Sequence, residues 1–246
     1  MTHSSKLTVV GLGPGDPDLI TMKGIKAIQA AQIVFAPRSQ AEGESRALRI
    51  AQPWLDTQRQ QIIPLRVPMQ RDATQALTAY DELATTIGSQ LSALAATQPD
   101  GCVRGVYLLL GDPLLYGTFT TLRTLLLDRY VNLSLEIIPG ITAFAATAAC
   151  VGLPLSMGDE RVAILPAPRD AAELRDLTSR FATLVLMKVG QQLPALLAML
   201  AELDLLEDCV YAEHIGMPEE RIVRDVASLR GYAAPYLSLL LVRSCV

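Results

Sequence analysis

Four times along this chain a β-branched or leucine-rich run breaks at once on a glycine or proline turn. The runs are "LTVVGLGPGDPD" (residues 7–18), "GVYLLLGDP" (105–113), "LSLEIIPGIT" (133–142) and "FATLVLMKVG" (181–190). Apolar runs without polar alternation suit strands covered on both faces, the condition of a parallel sheet. Between the runs lie patterns with helical spacing. "LITMKGIKAIQAAQIV" places Ile20, Ile25, Ile28 and Ala31 on one side, and "TFTTLRTLLLDRY" and "PALLAMLAELDLL" read alike. The alternation predicts an α/β chain.

"RDATQALTAYDELATTIGSQLSALAATQPDG" reads as one long helix closed by a Pro-Asp-Gly turn, delivering the chain into the strand around Val106–Leu110. A boundary is expected near residues 118–122, giving α/β domains over 1–119 and 120–246. The N-terminal sheet should be largely parallel. In the second half "CVYAEHI", "ERIVRDV" and "PYLSLLLVRS" follow one another with little helix between, which predicts a mixed sheet.

The 246 residues are 50% hydrophobic and 19% charged, with a mean hydropathy of +0.31. That is material for a packed core, and it points either to a well-filled interior or to surface covered by another subunit. A net charge of -4 and a pI near 5.3 disfavour a nucleic-acid partner, whose phosphates need clustered Lys and Arg. The start, "MTHSSKLTVV", lacks the apolar stretch of a signal peptide. The segment Ile141–Met157 is interrupted by Thr142, Thr147, Gly152 and Pro154 and is too short to span a bilayer. A cytoplasmic protein with no membrane association is expected. Cys102, Cys150, Cys209 and Cys245 form no CxxC pair and are expected to be reduced, buried thiols. With His3 and His214 the only histidines, no metal site is expected.

Ligands of open α/β sheets bind outside the carboxyl ends of the strands, where the four turns should lie. "GLGPGD" opens like a dinucleotide loop, but Asp16 and Pro17 stand where the third glycine and helix start belong. No acid ends the next strand, "IVFAPRS", and no G-K-[ST] follows, so both nucleotide fingerprints fail. Asp112 and Asp16 would repel phosphate and welcome a cation, an amine or a hydroxyl. Either could instead cap its turn through backbone N–H groups. Thr142, opening "PGITAFAATAA", is either an N-cap or a ligand contact. The small residues after it, Ala143 among them, allow close approach of a helix or of a flat ligand.

Taken in order, "VVGLGPGDPDLITMKGIKAI", "LLLGDPLLYG", "EIIPGITAFAATAACVGLPLSMGDERVAILPA" and "GMPEERIVRDVASL" resemble the tetrapyrrole (corrin/porphyrin) methyltransferases. "GLPLSMGDERVAILPA" and "GMPEERIV" are most similar to the branch that methylates C20 of precorrin-2 on the way to cobalamin. The resemblance implies S-adenosylmethionine as methyl donor, bound between two α/β domains, a tetrapyrrole acceptor and a homodimer. By motif it implies cofactor contacts at Pro14, Gly111, Asp112, Leu115, Tyr116, Thr142, Ala143 and Met187, with His214 and Ile215 at a further strand end. There the sequence departs from the commoner pattern, with Ile215 near an expected glycine. Met187 reads also as an ordinary core methionine, and for His214 a satisfied surface or core histidine is the favoured reading.

Methyl transfer from a sulfonium needs alignment more than acid–base chemistry, and no catalytic residue is singled out; Tyr116 and Glu213 fall near the expected mouth. A polycarboxylate acceptor calls for local positive charge. Between residues 38 and 71 six arginines (38, 46, 49, 59, 66, 71) face three acids (42, 44, 56), and Arg38, beside the second strand's end, is the candidate contact. The competing acceptors are a metal-free or cobalt-bearing macrocycle, an RNA or a protein side chain. A nucleotide-dependent oxidoreductase and a small-molecule sensor are the readings outside this class.

Overall fold

The computed structural model describes residues 4–38, 45–67, 73–117 and 119–243, and the chain divides into two compact units, Met1–Thr142 and Ala143–Val246. His3, Glu42, Glu44, Arg71 and Cys245 lie outside the described residues.

The first unit holds strands β1 (Ser4–Gly11), β2 (Ile33–Arg38), β3 (Gln61–Arg66), β4 (Cys102–Leu109) and β5 (Leu133–Ile138). They form one sheet in the order β3-β2-β4-β1-β5 with every pairing parallel. The interior strands carry the predicted two-sided burial: Leu7, Val9, Val10, Val34 and Leu108 are fully enclosed. β5 departs from that expectation, because it is an edge strand and Leu135, Glu136 and Ile137 are only half-buried. Glu136 meets Lys6 of β1 and Lys23 of helix α1 (Met22–Ala30), closing this edge with charge.

Helices cover both faces. On one, α3 (Ala73–Thr97) buries Leu83, Ala84, Ile87, Leu91 and Ala95, the i, i+4 stripe of an amphipathic helix. Beside it, α4 (Phe119–Arg129) buries Phe119, Leu122 and Leu126. On the other lie α1 and α2 (Arg46–Ala51), with Gly24 of α1 set against the Val10 side chain. The polypeptide leaving β1 runs to β2 on one side, while that leaving β4 runs to β5 on the other. The carboxyl ends of β1 and β4 are therefore the switch point at which an α/β sheet opens a crevice.

The second unit contains α5 (Ala143–Val151), β6 (Val162–Pro166), α6 (Ala171–Arg180), β7 (Thr183–Met187), α7 (Leu193–Glu202), β8 (Cys209–Glu213), β9 (Arg221–Val223) and β10 (Ser238–Arg243). Its strand order is β6-β7-β10-β8-β9, with β6 and β7 parallel and the other pairings antiparallel, the mixed sheet expected from its closely spaced late strands. Leu174 of α6 and Leu193, Leu196, Leu197 and Leu200 of α7 pack on one face of it. Arg243 is buried at the end of β10, where its guanidinium donates to Thr183 Oγ1 (2.9 Å), Leu155 O (3.3 Å) and Glu160 (2.8 Å).

Two details differ from expectation. The division falls at 142/143, whereas the sequence suggested 119/120. The cause is pairing: β5 hydrogen-bonds to β1 and so carries α4 with it into the first unit. Of the described cysteines only Cys209 is buried; Cys102 and Cys150 are exposed. Cys102 begins a strand at the edge of its burial, and Cys150 lies in the last turn of α5.

Candidate functional site

Three glycines bring the carboxyl ends of β1, β4 and β5 together. A Cβ on Gly11 would stand 2.5 Å from Gly140 N and 2.8 Å from Gly111 O, and one on Gly140 would stand 2.1 Å from Gly111 O. Only residues without side chains let three backbones meet so closely. Hydrogen bonds fix the junction: Leu12 N donates to Leu109 O (2.8 Å), and Gly111 N to Gly13 O (2.7 Å).

Asp112 ties the third loop to the second. One carboxylate oxygen accepts the Leu114 N–H at 2.9 Å and the other the Gly140 N–H at 3.1 Å. Asp16 does similar work, accepting the Asp18 N–H at 2.9 Å as N-cap of the helical turn Pro17–Leu19. Both acids therefore cap turns, and each keeps lone pairs beyond the bonds it makes. No Lys or Arg occurs in residues 11–18, 110–117 or 139–142, so the only side-chain charges in these loops are the negative ones of Asp16, Asp18 and Asp112.

The outer face of the junction is open. Gly111 adopts φ +72 and a Cβ built on it meets nothing within 4 Å, so its backbone is bare to an approaching ligand. Around it stand buried Pro14, half-buried Leu115, exposed Tyr116 and half-buried Thr142. Tyr116 has φ 50, a left-handed conformation uncommon outside glycine and often found where a loop serves a ligand. The first unit thus gathers Pro14, Gly111, Asp112, Leu115, Tyr116 and Thr142 on its carboxyl edge. Arg38 ends β2 on that same edge, one strand from β4.

The remaining positions belong to the second unit. Ala143 opens α5, Met187 ends β7, and His214 and Ile215 follow β8. β7 and β8 are each antiparallel to β10, so their carboxyl ends share one edge; Met187 lies across from Leu239, and His214 N donates to Leu237 O at 3.0 Å. Lys188 and His214, each the first residue after its strand, have φ 57 and 51. Met187 is half-buried where the rest of β7 is enclosed, and Ile215 is buried.

Beside them is a polar cluster that residue type alone did not reveal. Glu213, buried at the end of β8, accepts hydrogen bonds from the Tyr211 and Tyr232 hydroxyls, the latter at 2.8 Å. Burial, then the bond to Glu213, pushes the Tyr211 hydroxyl well above the ordinary phenol range. Arg221 stacks 4.6 Å from the centre of the Tyr232 ring. The Tyr211–Glu213 spacing of two, one face of a strand, was the signal available in the sequence. Gly11 and Gly140 show in the sequence only as the glycines of "GLG" and "PG".

Among the described residues no group of three or more His, Cys, Asp or Glu side chains could hold a metal ion, and no helix is long and apolar enough to cross a membrane. A bare glycine edge flanked by acids fits an elongated ligand that is neutral or cationic.

Residues 6–229 match the tetrapyrrole (corrin/porphyrin) methylases. The chain is 34% identical to a precorrin-2 C(20)-methyltransferase of Sinorhizobium sp over 96% of its own length and 94% of that protein. It is 30% identical to a cobalt-precorrin-2 C(20)-methyltransferase of Salmonella typhimurium over 97% of its length and 96% of that protein. Among solved structures, uroporphyrin-III C-methyltransferase from Thermus thermophilus complexed with S-adenosyl homocysteine aligns with a TM-score of 0.63 and 22% identity, covering 96% of each chain.

Proposed function

The chain belongs to the tetrapyrrole (corrin/porphyrin) methylases, and from that premise we propose that it transfers the methyl group of S-adenosylmethionine to C20 of precorrin-2, a step of cobalamin biosynthesis. Similarity to C20-methyltransferases over nearly the whole chain supports C20 of a precorrin-2-type macrocycle as the acceptor position. The observation in the molecule that carries the reading is the glycine junction, with its bare Gly111 backbone and its acids free of neighbouring lysine or arginine.

S-adenosylmethionine, when bound, supplies an electrophilic methyl group on a sulfonium. The loops of the first unit suit it. Gly11, Gly111 and Gly140 leave a backbone surface without side chains, Asp112 locks that surface in place, and no fixed cation opposes the positive ligand. Pro14, Leu115, Tyr116 and Thr142 frame it. The residues act chiefly by holding: alignment of reacting groups can contribute roughly 7–11 kcal/mol to an in-line displacement. The meso carbon is made nucleophilic by its own conjugation; as it takes the methyl group, S-adenosylhomocysteine leaves and the macrocycle gives up one proton to the surrounding water.

Incubating the protein with precorrin-2 and S-adenosylmethionine should add one methyl to the macrocycle by mass and release stoichiometric S-adenosylhomocysteine. An unchanged macrocycle alongside normal donor binding would remove the acceptor. The relative from Salmonella typhimurium favours a second acceptor, cobalt-precorrin-2, and parallel turnover of both forms separates the two.

The protein works in the cytoplasm as a homodimer on this reading. The high apolar share of the chain, 50% hydrophobic residues, supports a subunit contact. Light scattering of the purified chain reports its mass directly.

A further inference from the structure

β2 and β3 pair in parallel with Arg38 directly across from Arg66, so the last residue of each strand is a cation and the two stand on neighbouring strands, about 4.8 Å apart in backbone. Side-chain alternation puts them on one face. Phe35, Leu65 and Val67 turn to the core beneath α3, whereas Arg38 and Arg66 take the opposite direction together. Like charges side by side on paired strands are destabilising, and a stable fold leaves them so only if something offsets the repulsion.

No acid among the described residues of the first unit does. Neither guanidinium has an ion-pair partner among the described residues. Arg38 is half-buried, and its Nε is enclosed with no hydrogen-bond acceptor among the described residues, an arrangement that costs free energy in a native structure. Arg66 is exposed. Arg46 is close by along the chain, since the Ser45 hydroxyl donates to Pro37 O at 2.6 Å and holds the start of α2 against the end of β2. The β2–β4 register, Phe35 across from Tyr107, carries Arg38 to the level of Leu110, one residue below Gly111. The cations therefore stand on the same edge as the glycine junction, beside the loops that lack any positive charge.

We propose that Arg38 and Arg66 form a paired guanidinium clamp for a carboxylate of the acceptor, with Arg66 the specificity residue that the strand pairing adds to Arg38. A carboxylate is planar and bidentate, the geometry a guanidinium fork matches, and it cancels the repulsion between the two strand ends. The clamp rests on the tetrapyrrole reading above, because that acceptor is a polycarboxylate. It separates the labour of the edge: glycines and acids for the cationic donor, arginines for the anionic acceptor.

The test measures equilibrium binding of precorrin-2 by fluorescence quenching under anaerobic conditions, and of S-adenosylhomocysteine by calorimetry. The proteins are the wild type, Arg38→Gln, Arg66→Gln, Arg66→Lys and the remote surface control Arg123→Gln. Arg38→Gln and Arg66→Gln should weaken precorrin-2 binding about tenfold or more, with a shallower salt dependence, while S-adenosylhomocysteine binds as before. Arg66→Lys should recover part of the loss, and Arg123→Gln should bind within about twofold of the wild type. Unaltered precorrin-2 affinity in both glutamine variants overturns the clamp even if the wild type methylates C20. The expected losses in a protein that binds precorrin-2 without methylating it would uphold the clamp and overturn only the assigned reaction.

Discussion

The Asp112 carboxylate accepts the backbone N–H of Gly140 across 3.1 Å, binding the loop after β4 to the loop after β5. With the bond to Leu114 N it converts a strand-terminating acid into the pin of a three-strand junction. Unpinned, the Gly111 backbone would lose the fixed position that a ligand edge requires.

Asp112→Ala removes both acceptors, leaving the part-buried N–H of Gly140 unpaired and the exposed N–H of Leu114 to water. A lost partner of this kind costs about 1–3 kcal/mol. For a chain this size that corresponds to a fall in Tm of about 4–8 °C near the middle of the range. Because the acid acts through the loop, affinity for S-adenosylmethionine and for S-adenosylhomocysteine should fall by the same factor. Calorimetry on both ligands checks this, and a loss confined to the sulfonium would show that charge at Asp112 is the larger effect.

Gly140→Ala should be the more damaging change. The added methyl would lie 2.1 Å from Gly111 O and 2.8 Å from Gly11 C, both backbone atoms with no rotamer to retreat into. Overpacking of this sort costs about 1–3 kcal/mol and can exceed that. Thermal unfolding should show the loss, and donor affinity should drop at temperatures where the variant is still folded. Gly111→Ala provides the contrast: its methyl would meet no protein atom within 4 Å, so its effect comes from φ +72 and from blocking the ligand face.

Glu160 gives the second unit an acid-sensitive tie. The Arg243 guanidinium, then the Met157 N–H, holds its carboxyl below the usual value of 4.5. A depressed carboxyl stabilises the fold above its unfolded pKa and loses that contribution as pH falls through the lower, folded value. Wild type and Glu160→Gln should thus differ in urea midpoint by a constant amount between about pH 6 and 8, and the gap should narrow as pH falls below about 4.5 and close once it is below the lower, folded value. Glu136, lowered by Lys23 and Lys6, should behave alike in the first unit.

Cysteine labelling should divide the thiols by burial. Burial, with the charge of Asp208 adding to it, pushes the Cys209 thiol up to about 12, and its Sγ donates to Leu205 O at 3.1 Å. Thiolate is the reactive form, so Cys209 should resist iodoacetamide near pH 8 until the chain unfolds. Exposed Cys102 and Cys150 should label in the native protein. Peptide mass mapping before and after denaturation reads the difference.

Much of this architecture is written in local pattern. Runs such as "TVVG" and "YLLLG" set period and length for buried strands, and the stripe of Leu83, Ile87 and Leu91 sets a helix face, because burial periodicity is a property of a few neighbouring residues. β3 is not legible in this way, since "QIIPLR" is a half-exposed edge strand interrupted by a proline. The place of β5 in the first unit is not legible locally, because β5 is claimed by β1, a partner more than a hundred residues away.

By itself the sequence determined the alternation of strands and helices, the glycine turns, the sign of their charge and, by resemblance, the family. Tertiary structure alone decided that Gly11, Gly111 and Gly140 touch, that Asp112 spends its oxygens on two loops, and that Arg38 meets Arg66. Strand order sets which distant residues become neighbours. It comes from the global competition to bury apolar faces and pair every backbone group, for which no short stretch of chain carries the answer.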